Sequence, residues 1–86
     1  MFKKELTVQN ETGLHARPAS DFAALCRNIE SDIRLISGNM LVNPKSIISI
    51  LSAGLSKGTT FLLEVEGPDE KEAGEKIVQF IETLTE

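Results

Sequence analysis

The chain has 86 residues, a formal net charge of −4, a hydrophobic fraction of 41%, one histidine, one cysteine and neither tyrosine nor tryptophan. That length holds one domain (1–86) with one core and is too short to enclose a deep substrate cavity, so any chemistry belongs on a surface or rim. The single Cys26 excludes an internal disulfide, no apolar run approaches the ~20 residues of a membrane span, and the charged opening "MFKKELTVQNE" does not read as a signal peptide; the expectation is a soluble, cytoplasmic monomer.

Charge is unevenly placed. Residues 1–12 are neutral, 13–57 carry net +2 and 58–86 carry net −6. The locally basic middle favours an anionic ligand or acidic partner. No basic stripe is interleaved with aromatics, which argues against direct nucleic-acid binding.

In chain order, "FKKELTV" alternates loosely, with Phe2, Leu6 and Val8 on one face, and reads as a strand. After the loop "QNETG", apolar residues Ala19, Phe22, Ala23, Cys26 and Ile29 recur at helical spacing and predict an amphipathic helix from Ala16 to about Asn28. "SDIRLIS" and "NMLVN" flank Gly38-Asn39 as a hairpin. "KSIISILSAG" predicts a short helix closed by Gly54. "TTFLLEVEG" puts Phe61, Leu63 and Val65 on one face of a strand and Thr60, Leu62, Glu64 and Glu66 on the other. The last helix opens at "PDEKE", where Asp69 and Glu72 have capping-box spacing, and buries Ala73, Ile77, Phe80, Ile81 and Leu84. The order β-α-β-β-α-β-α predicts a two-layer α+β domain, a four-stranded, largely antiparallel sheet with three helices on one face and water on the other.

The one histidine, His15, stands where the loop turns into the first helix. There the helix offers backbone N–H groups and the positive end of its dipole, both favourable to an anion and unfavourable to a charged ring. A phosphoryl group on a ring nitrogen would be held by the backbone at Ala16 and Arg17 and neutralised by the Arg17 guanidinium, while Gly13 lets the loop come close. Pro18 fits a first turn but disfavours helical geometry at Arg17, so the spacing predicts an irregular or later start. On composition alone, a capping or surface histidine is the commoner occupant of such a position. A triad using Ser20 and Asp21 has no geometric support. With no second histidine, HExxH, CxxC or Walker sequence, neither a metal nor another cofactor is expected.

A second constellation is "NPKSIISIL". Ser46 reads as a helix N-cap, with Asn43-Pro44 as a competing start. Ile47, Ile48 and Leu51 fall within one arc of that helix and Ile50 lies outside it, a pattern that fits deep burial or a patch shown to a partner.

"TGLHARPAS" (12–20), "KSIISILSAG" (45–54), "SKG" (56–58) and "EGPDEKEA" (66–73) give the chain a resemblance, without insertion, to the histidine-containing phosphocarrier (HPr) family of the bacterial phosphoenolpyruvate-dependent sugar phosphotransferase system. The resemblance implies an open-faced sheet of order 1-4-2-3 under three helices. It implies that His15 accepts a phosphoryl group on Nδ1 from phosphorylated enzyme I and passes it to EIIA components of sugar transporters, with Arg17 steadying the phosphate. It further implies regulatory phosphorylation of Ser46 by an HPr serine kinase/phosphorylase, making the protein a partner of a catabolite-control transcription factor. Ile47, Ile48 and Leu51 then match a docking patch, and Arg17, Arg27 and Lys45 its basic surround.

The sequence departs from the family pattern where Pro44 precedes Lys45, where Ile48 and Leu51 replace common methionines, and where Ala53 replaces a leucine. Branched side chains repack less easily than methionine, which narrows the range of partners. Two further readings stand beside the carrier: a mainly regulatory paralogue acting through Ser46, against which the histidine argues, and a carrier for a nitrogen-type or dihydroxyacetone-type branch. A non-phosphorylated interaction module would explain the fold but not the "HARPA" sequence.

Overall fold

The computed structural model describes residues 1–85 and contains β1 (Phe2–Thr7), α1 (Ala16–Arg27), β2 (Asp32–Ser37), β3 (Met40–Val42), α2 (Ile47–Ser52), β4 (Thr60–Glu66) and α3 (Glu70–Thr83). The strands form one antiparallel sheet of order β1-β4-β2-β3. Its register runs through Leu6↔Phe61 between β1 and β4, Leu35↔Leu63 between β2 and β4, and Leu35↔Val42 between β2 and β3. All five of these side chains are buried.

Period-two alternation therefore sends Leu6, Phe61, Leu63, Val65, Leu35 and Val42 to one face, where the helices lie. α1 contributes Pro18, Ala19, Phe22, Ala23 and Cys26, and α3 contributes Ala73, Gly74, Ile77 and Ile81. The Phe22 and Phe80 rings meet at 5.4 Å between centroids, closing the gap between the two long helices. A fully buried Phe or Leu stabilises by about 1.5–3 kcal/mol, whereas a solvent-accessible ion pair such as Lys57–Glu11 (2.8 Å) gives about 0–1 kcal/mol. The apolar layer, not surface charge, holds the sheet against the helices.

One expectation needs correction. Asp69 is the residue before α3, but its carboxylate makes no capping hydrogen bond. It accepts instead from the Ser31 amide (3.0 Å), the Glu30 amide (3.4 Å) and the Ser31 hydroxyl, while the Asp69 amide donates to Ser31 Oγ (3.2 Å). The buried Ser31 competes successfully for that carboxylate, so the pair clamps the α1–β2 loop to the start of α3. The open face of the sheet carries Leu62, Ile36 and Leu41 in one cross-strand row.

Candidate functional site

His15 is the N-cap of α1. Its backbone is extended (φ −94°, ψ −161°), and its carbonyl accepts the Ala19 N–H at 2.8 Å, within the first turn. The imidazole itself makes no capping hydrogen bond, and the residue is exposed. The helix begins at Ala16 despite the proline, so Arg17 is helical ahead of Pro18. Pro18 is fully buried, and its missing N–H falls in the first turn, where helix ends have no ladder partner to lose. Ala16 and Arg17, both exposed, are the first two helical residues, so the amides beside the ring are theirs.

The loop ahead of His15 is tied down at several points. The Asn10 side-chain amide donates to the Gly13 carbonyl (2.9 Å), and the Gly13 amide donates back to the Asn10 carbonyl (3.3 Å). The Leu14 amide donates to the Leu55 carbonyl (2.8 Å), and Lys57 Nζ pairs with Glu11 Oε1 (2.8 Å). That hydrogen bond to Lys57 holds the Glu11 carboxyl below its ordinary pKa. Gly13 has φ +64°, and a Cβ there would strike the Leu55 carbonyl and lie 2.7 Å from Ser56 Cα. The histidine loop is thus seated directly on residues 55–57.

A shallow depression of about 210 Å³ opens beside His15, lined by Thr12, Leu14, Leu51, Gly54, Leu55 and Ser56. It has an apolar floor and a hydroxyl rim. Spacing alone does not bring Leu55 and Ser56 to His15, because no local periodicity signals a contact between segments forty residues apart. For Ser56 the pointer is the "SKG" match at 56–58.

The second constellation lies on the neighbouring helix, since α1 packs on α2. Ser46 is the N-cap of α2, and its Oγ accepts the Ser49 amide at 3.2 Å. The competing start at Asn43-Pro44 is a turn that leads into this cap: the Ser46 amide donates to the Asn43 carbonyl (3.1 Å) and the Lys45 amide to Asn43 Oδ1 (3.0 Å). The Ser49 hydroxyl accepts the Asn43 amide (2.9 Å), and Pro44 is buried.

Arg27 and Lys45 are more than a charged rim. Arg27 Nε donates to the Lys45 carbonyl (3.0 Å), and Lys45 Nζ donates to the Ile29 carbonyl (3.3 Å), so both cations buttress the turn before Ser46. Among the patch residues, Ile48 is 77% exposed and Leu51 44% exposed, while Ile47 is half-buried against the core and Ile50 is fully buried. The short helix is apolar on more than one side: Ile50 faces the core, and Ile48 and Leu51 face water. Cys26 is buried, and burial pushes its thiol up to about 12, with Lys45 opposing weakly. It belongs to the core.

Among the described residues, no group of three or more His, Cys, Asp or Glu is placed to hold a metal ion, and no helix is long and apolar enough to cross a membrane.

A family model described as "PTS HPr component phosphorylation site" matches residues 2–83. The chain is 39% identical over 84 residues to Phosphocarrier protein HPr of Buchnera aphidicola subsp. Schizaphis graminum, covering 98% of this chain and 99% of that one. It is 39% identical over 82 residues to HPr-like protein Crh of Halalkalibacterium halodurans, with 95% and 98% covered. The crystal structure of HPr-C-His from Thermoanaerobacter tengcongensis superposes with a TM-score of 0.91 at 41% identity, over 96% of this chain and 93% of that chain. With an exposed histidine at a helix start on this fold and these relatives over its whole length, the chain belongs to the HPr family of phosphotransferase-system phosphocarriers.

Proposed function

We propose that His15 is the phosphoacceptor, taking a phosphoryl group on Nδ1 from phospho-enzyme I and passing it to EIIA components, and that the protein works as a cytoplasmic monomer. The observation that carries this reading is that the imidazole stands exposed at the start of α1 without serving as its cap. In the first step a lone pair on the ring nitrogen attacks phosphorus while the bond to the donor breaks; in the second the new P–N bond breaks toward the acceptor. The first-turn backbone and the helix dipole favour the added negative charge, and the Arg17 guanidinium neutralises it. No cavity is needed, because both partners dock on a rim. Ile48 and Leu51, with Ile47 beneath them and Arg27 and Lys45 alongside, supply the apolar and basic parts of that docking surface.

The test is to incubate the protein with phosphoenolpyruvate, magnesium and a generic enzyme I and to weigh it intact. An acid-labile, base-stable gain of one phosphoryl mass, absent from His15→Ala, is the expected result. Absence of label under conditions that phosphorylate a known carrier overturns it.

A second reading rests on Ser46. Its place at the start of α2 would let a phosphate there, carrying about −1.5 to −2 charges, sit favourably at the helix end while repelling an acidic partner on the adjacent patch. Modification by an HPr serine kinase/phosphorylase would then slow transfer through His15 and favour a catabolite-control transcription factor. Intact mass after incubation with such a kinase, with Ser46→Ala alongside, separates this reading from the first.

A further inference from the structure

We propose that the sheet face turned away from the helices is a second docking surface, for a protein segment that carries apolar and basic side chains together. The register places Leu62 opposite Ile36 and Ile36 opposite Leu41, so three large aliphatic side chains form one row across β4, β2 and β3. They alternate with the buried Phe61, Leu63, Leu35 and Val42, which face the helices, so the row points into solvent. Leu41 is 66% exposed. No core-packing reason accounts for the row.

Charge selects the occupant. Glu5 stands opposite Leu62 at the end of the row, and Asp32, Glu64 and Glu66 lie on the same face along β2 and β4. The two cations on this face are committed: Lys3 pairs with Glu64 (3.6 Å), and Arg34 pairs with Glu64 (3.1 Å) and Glu66 (3.8 Å). The face is left with net negative charge around an apolar centre, the opposite of the Arg17, Arg27 and Lys45 surround near His15. An acidic partner suited to the histidine face is repelled here, and a basic one is attracted. Because the two surfaces lie on opposite layers, both can be occupied at once, and phosphoryl transfer need not be blocked by a tethered partner.

The probe is a short synthetic peptide of alternating leucine and lysine, titrated into the isotope-labelled protein while amide resonances are followed. Saturable shifts confined to residues 34–36, 41–42 and 62–64 are expected, with a leucine–glutamate peptide silent. Leu41→Ser, at an exposed position that leaves the fold intact, should weaken binding about tenfold. The paired Glu5→Gln and Asp32→Asn changes should weaken it and flatten its salt dependence, and neither variant should alter phosphorylation of His15. No saturable shift, equal binding of the glutamate peptide, shifts centred on the acidic α3 or on residues 15–17 and 47–51, or shifts that appear on concentrating the protein without peptide would each overturn the proposal. The last outcome would make a second copy the occupant.

Discussion

The Leu14 amide donates to the Leu55 carbonyl at 2.8 Å, and this contact seats the histidine loop on the loop that follows α2. It requires Gly13, whose φ of +64° and missing side chain let the two backbones approach. Gly13→Ala should destabilise by about 2–4 kcal/mol, combining left-handed strain with a collision against backbone that cannot rotate away. Gly58→Ala is the control: its φ is +90° but open space surrounds it, so strain alone, about 1–2 kcal/mol, is expected. Urea unfolding of the two variants checks the difference. Phosphoryl acceptance at His15 should fall in the first and persist in the second under conditions where both are folded.

Ser46 and Arg27 support the same helix start by different bonds. Removing the cap in Ser46→Ala should cost about 1 kcal/mol, and Ser46→Asp should recover most of it, since aspartate caps as well as serine. Arg27→Ala removes the hydrogen bond to the Lys45 carbonyl and should cost about 0.5–1.5 kcal/mol. Were Arg27 only a docking charge, Arg27→Ala would leave the unfolding midpoint unchanged while weakening partner binding. Denaturation midpoints of the three variants distinguish these outcomes.

Much of this arrangement was legible in the chain. The stripe of α1, the hairpin at Gly38-Asn39 and the inward face of β4 all follow from spacing, because burial imposes periods of 3.6 and 2 on apolar residues. His15 at a helix start and Ser46 as a cap were legible for a similar reason, since each is a local backbone event. Asp69 was not, because capping-box spacing describes a competition whose other contestant, Ser31, is 38 residues away. Nor were the floor of the His15 depression and the aliphatic row on the open face. Leu41 follows Met40 in a strand of three residues, too short for alternation to declare which side faces water.

Cys26 should be inert in the folded protein. Buried, with its thiol pushed up to about 12, it holds almost no thiolate at pH 8, and reagent has no path to it. Reaction with a disulfide reagent at pH 8 should proceed at the rate of global opening and accelerate with urea in step with unfolding. Burst labelling of the native protein would contradict this. At alkaline pH the sign is also fixed: the unfolded thiol ionises near its ordinary value of 9.0 while the folded one does not, so stability falls as pH rises from about 9 toward 12.

At the acid end the Asp69 clamp is lost to titration. The Ser31 hydroxyl is the largest influence holding the Asp69 carboxyl below its ordinary value of 3.8; desolvation opposes it, and the Ser31, Glu30 and Asp69 amides add smaller lowering contributions. A carboxyl with a lowered folded pKa contributes stability that is complete above the unfolded value and is lost as pH falls through the folded one. Wild-type protein should therefore lose stability first below about pH 4.5, through Glu11, whose carboxyl Lys57 holds down, and then below about pH 3.8 through Asp69. In Asp69→Asn the native state starts weaker at neutral pH and its stability falls less steeply into acid; Ser31→Ala should show the same flattening, because it removes the leading cause of the shift. Unfolding midpoints measured from pH 7 down to pH 2 test both variants. Parallel acid limbs for wild type and Asp69→Asn would show that the clamp contributes no proton linkage to folding.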